Sequence, residues 1–438
     1  MRAVQEGSTR PGRAWRDRDG LPLVLLLAAV QLVAFGDRFL ITLVAQPLKV
    51  DLGLSDAQLG LVQGSAFALV NALAMPGMGV LADRGHRRAL LVASLVVWGA
   101  ATFACGLADT FVLLLGARAL LGLGQAAITP VALSLLSDRL PRHRLGRGIS
   151  WFTAGGSIGR SSALLLGGTV LAWMTLNGGF RIPGMEAALP PWRALFVLAC
   201  LPNVLLLVGA LSIVEPSPAP PARDARLWAW MHRRRAQYLP LFGTAVAAVL
   251  IGQTLTAWIP TFYVRVHHLT PAESGIRIGL LVLVAAPAGH LTAGRLLDRW
   301  RARGRRRPGS LILAAALALT GPTVAVTALA SDLSVSLTAL TALVALLGMT
   351  SAPILARLQI LTPRAFRGRV NALFVSGVTL IAFGLGPVLV GVLNDRVFGT
   401  EGVGLAMLTV FIPVSALGSV LALVGGTVRA PSRPDRSR

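Results

Sequence analysis

Four ionisable side chains sit where a water-soluble protein would not keep them. Asp37, Arg38, Arg118 and Arg160 each fall inside an apolar stretch long enough to cross a bilayer. Charges at that depth are costly and are retained for binding, proton transfer or pairing. Asp37 lies about nine residues, and Arg118 about seven, from the outer ends of their stretches, so at ~1.5 Å per residue they share a depth. An acid and a base at one depth can pair, and pairing offsets their burial. If the pair parts during a working cycle, the carboxylate gains proton affinity, which is a physical route to coupling transport to protons. A static structural ion pair is the plain alternative.

The charges are also unbalanced. Arg38, Arg118 and Arg160 stand against Asp37 alone, and Gln125, one turn beyond Gly122, can hydrogen-bond but cannot titrate. Guanidinium forks suit carboxylate or phosphate groups. Arg38, Arg118, Gln125 and Arg160 are therefore the expected substrate-binding residues, and Asp37 with Arg118 the proton-coupling pair. The competing view has Arg160 packing against backbone carbonyls without meeting solute.

A second pattern recurs at the ends of apolar stretches. Gly79-Val-Leu-Ala-Asp83-Arg84, followed by Arg87 and Arg88, has a partner in Gly294-Arg-Leu-Leu-Asp298-Arg299. A third copy, Gly391-Val-Leu-Asn-Asp395-Arg396, ends a stretch on the opposite side. Glycine lets two helices approach closely, and an acid there can meet a helix N-terminus or an arginine. Gly79, Asp83, Arg84, Arg88, Gly294, Asp298 and Arg299 are the expected gating latch. A unit repeated on both sides points to inverted repeats nested within two halves.

The elements that carry these residues follow from composition. Of 438 residues 54% are hydrophobic and only 13% charged. Soluble proteins carry about 25% charged residues. Spanning the hydrocarbon takes roughly 20 apolar residues, and such runs fall at about 21–46, 57–81, 88–108, 111–136, 148–174, 192–214, 238–262, 275–297, 309–330, 333–358, 369–393 and 403–427. The reading is an all-α membrane protein of twelve transmembrane helices in two pseudo-symmetric six-helix bundles, 21–214 and 237–427. A basic tail (1–20), a Pro-rich linker (215–236) and a short tail (428–438) complete it. The first apolar run is too long for a signal-peptide core and stays as a membrane helix.

The net charge of +23 would point to nucleic acid in a soluble protein. Here the arginines alternate between connections: Arg84 to Arg88, Arg139 to Arg147, Arg223 to Arg235, Arg299 to Arg307 and Arg364 to Arg369 share one side. The opposite connections are sparse. The excess therefore reports topology, with both termini cytoplasmic in a cell inner membrane. Cys105 and Cys200 fall inside spans as free thiols, without a disulfide framework.

At the Gly79–Arg88 loop the chain resembles the major facilitator superfamily. The resemblance narrows to the spinster-like branch through Gly36-Asp37-Arg38, Asp51-Leu-Gly-Leu-Ser55-Asp56 with Gly60 and Gln63, and Arg118-Ala-Leu-Leu-Gly-Leu-Gly124-Gln125. Trp258-Ile-Pro260-Thr-Phe262 with Arg265, and Arg367-Gly-Arg-x-Asn371, agree. The resemblance implies two bundles that rock about a central site, with the acid of Asp37-Arg38 and the arginine at Arg118 in proton coupling. It usually brings an acid where this chain has Gln125, and a small residue where it has Arg160.

The expected function is secondary active transport of an organic anion or lysolipid-like amphiphile, proton-coupled through Asp37, by a monomer in the lipid bilayer. The alternatives are a proton-driven exporter of hydrophobic or cationic compounds and a transporter-like receptor that no longer cycles. No nucleotide-binding loop, metal cluster or nucleophile–base constellation stands out, so neither cofactor nor enzyme activity is expected. His290, Gln253 and Asn371 are weaker cavity candidates, each equally able to be a hydrogen-bonded helix contact. Trp151, Phe152, Trp173, Trp258 and Phe262 read as packing or interface anchors.

Overall fold

The computed structural model describes residues 20–177, 189–213, 227–305, 307–363 and 367–427. The basic tail, most of the Pro-rich linker and the C-terminal tail lie outside these residues. So does the side chain of Asp83. What is described is almost wholly helical.

Among the described residues, twelve long helical elements follow one another where apolar runs recur between turn-forming clusters. The first half holds α1 (Leu21–Leu43), α2 (Asp56–Ala82), α3 (Arg87–Leu107), α4 (Phe111–Arg139), α5 (Arg142–Leu176) and α6 (Pro191–Leu211). The second half holds α7 (Arg235–Val266), α8 (Pro271–Ala302), α9 (Pro308–Leu329), α10 (Leu333–Leu361), α11 (Arg367–Leu393) and α12 (Val403–Thr427). Side chains cap the starts of α2, α4, α8 and α10. Ser55 with Gln58 and Thr270 with Glu273 form reciprocal capping boxes at α2 and α8, which satisfy backbone N–H groups that no helical carbonyl reaches.

Eleven of these helices have the length and apolarity to cross a bilayer. The twelfth, α5, is made polar by Arg160 and its glycines, yet it runs beside α1 for the whole of α1's length. Gly155 faces Ala28, Gly159 faces Leu32, and Gly167 faces Leu40 and Leu43. A methyl group on Gly159 would collide with the Leu32 carbonyl, so only glycine allows this approach. A helix parallel to a spanning helix over that length spans too.

The pairing pattern repeats. α1–α5, α2–α4, α3–α4 and α3–α6 pack in the first half, and α7–α11, α8–α10, α9–α10 and α9–α12 in the second. The halves meet along α2–α11 and α5–α8, with α1 touching α7. The short helix Leu227–Arg233, which falls within the expected linker, sets Trp230 against Tyr238 at the start of α7.

Candidate functional site

The two halves enclose a cavity of about 470 Å³. Its first-half wall comes from α1 and α5, through Gln31, Phe35, Gly156 and Arg160, and its second-half wall from α7, α8, α10 and α11. Most of the lining is apolar, including Leu164, Ile259, Ile278 and Val344, and no carboxylate is among the described lining residues. The walls continue toward the arginine-rich ends of the helices through Thr153, Leu355 and Phe374.

At the arginine-poor ends the halves are joined. Asp56, buried at the N-terminus of α2, accepts from Arg265 Nη1 at 2.6 Å and Nη2 at 2.7 Å, and also pairs with Lys49. Asp395 accepts from the backbone N–H groups of Asp56 at 2.9 Å and Ala57 at 2.7 Å. This acid, from the third copy of the Gly-x-x-x-Asp-Arg unit, thus caps a helix of the other half. Gln46 accepts from Arg265 at 3.1 Å, and the Ser65 hydroxyl donates to the Gly384 carbonyl at 2.5 Å. A methyl on Gly60 would sit 2.6 Å from the Pro387 carbonyl oxygen. The α2–α11 seam is therefore tight, and the cavity is sealed on this side.

Arg84, Asp298 and Arg299 are exposed, and their side chains make no hydrogen bond or ion pair with described residues. Gly294 has open space around it, and Gly79 makes only ordinary contact with Pro130. Arg88 is exposed. Arg87, by contrast, is buried, pairs with Asp138 and donates to the Ala82 carbonyl, fixing the turn between α2 and α3 to the end of α4.

Asp37 and Arg118 are both buried at neighbouring depths, but they form no ion pair. One oxygen of Asp37 accepts from Trp98 Nε1 at 2.5 Å, the Thr102 hydroxyl at 3.1 Å and the Asn203 amide at 3.4 Å. Its partners are neutral and come from α3 and α6. Arg118 turns the other way. Its Nε donates to the Val62 carbonyl at 2.9 Å and its Nη2 to the Arg38 carbonyl at 3.1 Å. The π-helical turn Leu61–Ser65 in α2 presents that Val62 oxygen, since a wider turn displaces the local bonding pattern. Arg118 Nη1 is buried without a partner.

The remaining arginines separate by environment. Arg38 donates through Nε and Nη2 to Gln125 Oε1 at 3.3 and 3.0 Å, and lies over the rings of Phe35 and Phe67 at 4.6 and 4.2 Å. Gln125 in turn donates to the Ala34 carbonyl. Arg38 and Gln125 are thus tied into a network beside the cavity and are not among its lining residues. Arg160 lines it. Its guanidinium rests 4.7 Å from the Phe39 ring centroid, it makes no hydrogen bond or ion pair with described residues, and its Nε is buried and unpartnered. Of Arg38, Arg118 and Arg160, it alone lines the cavity, with donors unused.

Other sequence candidates divide likewise. Gln253 and His290 line the cavity. Asn371 accepts from Gln359 and joins α10 to α11. Trp258 donates to the Pro387 carbonyl within the core, Phe152 and Phe262 are buried, and Trp151 and Trp173 are exposed on the outer surface. Cys105 and Cys200 are free. The outer seal of Gln46, Asp56, Arg265 and Asp395 was not among the expected gating residues. Asp395 stood out in the sequence through the third copy of the repeated unit, and Asp56 and Arg265 only as parts of family-like motifs.

Two repeated six-helix halves, sealed on one face around a mostly apolar cavity, define a transport protein rather than an enzyme. The chain belongs to the Major Facilitator Superfamily, whose sequence model matches residues 27–387. It is similar to an MFS-type efflux pump of Mycolicibacterium smegmatis, 28% identical over 94% of this chain and 92% of the relative. It is also similar to Protein spinster homolog 1 of Xenopus laevis, 23% identical over 86% of this chain and 73% of the relative. Among solved structures it shares the fold of a bacterial homologue of the human lysosomal transporter Spinster in an inward-facing, unoccupied conformation. That match has a TM-score of 0.81 and 23% identity, covering 93% of this chain and 98% of the other. The spinster-like resemblance read from the motifs agrees with these relatives.

Proposed function

We propose that this protein is a secondary active carrier of an organic anion or lysolipid-like amphiphile, working by alternating access and coupled to protons through Asp37. One observation carries the substrate class: Arg160 offers unpaired donors to a cavity with no carboxylate among its described lining residues. A guanidinium left unpaired in a weakly polar space is stabilised by a carboxylate or phosphate that binds it. The apolar remainder of the lining suits a hydrocarbon portion on the same molecule.

Asp37 supports the coupling role. A buried carboxyl held by neutral donors can take up or release a proton without first breaking an ion pair. Arg118, held by two carbonyls nearby, is the cation whose approach in another conformation would expel that proton. The arginine distribution supports cytoplasmic termini in an inner membrane. In that orientation the cavity faces the cytoplasm here, with Asp56, Arg265 and Asp395 closing the outer face and the Asp83 and Asp298 loops serving as the latch for the reverse state.

Export of cationic compounds is the competing reading, and the relative named as an efflux pump favours export as a direction. The cavity charge opposes a cation. Uptake of radiolabelled anions and cations into proteoliposomes, with and without a pH gradient, separates the two. Gradient-dependent movement of the anions is expected. Movement of cations in exchange for protons, with anions excluded, would overturn the proposal.

A further inference from the structure

Arg160 accounts for one wall of the cavity only. The opposite wall belongs to the second half and carries polar groups of its own. His290 continues the lining row Ile278, Val282, Ala286 on α8, and a spacing of four residues keeps all of them on one helix face. Its Nδ1 lies 2.6 Å from the Gly348 carbonyl oxygen and 2.8 Å from the Ser351 hydroxyl. A carbonyl oxygen only accepts, so Nδ1 carries the hydrogen of the first contact. In the neutral ring Nε2 is then a bare acceptor, and it has no partner among the described residues. Contacts from Gly348 and Ser351 fix the ring so that it cannot exchange the roles of its nitrogens without losing them.

Gln253 on α7 lines the same cavity, and its Oε1 is buried without a donor. These atoms are thus opposite in sense to Arg160. Arg160 can only donate, whereas His290 Nε2 and Gln253 Oε1 wait for a donor. Gln253 Oε1, buried and unpaired, carries a desolvation cost that a ligand with a donor removes and a hydrocarbon ligand does not, and His290, an exposed residue at the cavity wall, offers its acceptor beside it.

We infer that His290 Nε2 and Gln253 Oε1 form a hydrogen-bond-accepting subsite that selects organic anions bearing a hydroxyl or amino group remote from the acidic head. The inference rests on the anionic reading of the Arg160 end and supplies the other pole. The acidic head lies on α5, the donor group reaches α7 and α8, and the chain between them crosses the apolar lining. Each half of the protein then grips one end of the solute, so a molecule with both ends bridges the halves and one lacking the donor does not. A site that expects a donor discriminates against the analogue without it, because its own acceptors stay unpaired.

The test is equilibrium binding to the full-length protein in lipid nanodiscs, above the titration range of histidine. The probes are ω-hydroxy fatty acids of graded chain length, each measured against its parent acid. At the length that spans the walls, the hydroxy acid should bind about fivefold more tightly, the factor of one neutral hydrogen bond. His290→Phe keeps a ring without the acceptor and should lower that ratio. His290→Gln returns an acceptor and should retain a preference, which guards against a misfolded phenylalanine variant, and Gln253→Leu should lower the ratio independently. Arg160→Ser should weaken both acids alike and leave the ratio intact. No effect of Arg160→Ser would remove the anionic reading. Equal binding of the two acids at every length, or a preference unchanged in both His290→Phe and Gln253→Leu, would overturn the subsite.

Discussion

Replacing Asp56 by asparagine should open the arginine-poor face. Asp56 is 1% exposed and accepts two charge-assisted bonds from Arg265, at 2.6 and 2.7 Å, with Lys49 as a further cation. Asp56 and Arg265 belong to different halves, so an outward opening separates them. Removing one member of a buried ion pair costs about 3 kcal/mol or more in the state that contains it. Asp395 still caps α2 in the variant, so the seal is weakened and not abolished. A change of about 3 kcal/mol shifts a two-state ratio by roughly a hundredfold. A 99:1 preference for the sealed face would therefore fall to near parity. Spin labels at Val50 and Val397, exposed residues of the two halves at this face, report the separation by double electron–electron resonance, in a background without Cys105 and Cys200. The variant should add a population at longer distance. An unchanged distance distribution would show that the bonds around Asp56 do not hold the face shut.

Three other substitutions probe different links. Asp37→Asn should abolish accumulation driven by a pH gradient while sparing equilibrium binding, and gradient-driven uptake at the wild-type level would remove Asp37 from the coupling step. Gln125→Glu places a titratable acid on the oxygen that Arg38 now bonds at 3.0 Å, so the pH profile of transport should change; an identical profile would mean that the position meets no proton path. Gly159→Ala forces a methyl group against the Leu32 carbonyl and should cost about 1–3 kcal/mol by overpacking, read as a lower melting temperature in detergent, where no shift would mean that α1 and α5 separate freely.

Much of the fold was legible because the bilayer demands long apolar helices, whose length and spacing a sequence records directly. α5 was legible as a span despite Arg160, and the structure supplies the reason: its glycines let it lie along α1. The depth of Asp37 and Arg118 was also readable, since depth is a count along an axis. Their partners were not. Which way a side chain faces depends on helix rotation and on neighbours distant in sequence, so Asp37 turns to Trp98, Thr102 and Asn203, while Arg118 turns to a carbonyl presented by the π-helical turn of α2. The charge imbalance was likewise visible only as a sum. Packing divided it, giving Arg38 to Gln125 and aromatic rings, Arg118 to carbonyls and Arg160 to the cavity. The outer seal joins residues more than two hundred positions apart, such as Asp56 and Arg265, and no local pattern announces such a contact.

Binding of a lysophosphatidate to the purified protein, compared with Arg160→Ser and Arg160→Lys, addresses the substrate-binding role most directly. Loss of a charge-assisted contact of about 1.5–3 kcal/mol should weaken binding at least tenfold in the serine variant, with the lysine variant between. Equal affinity in all three proteins would show that this guanidinium never meets the solute.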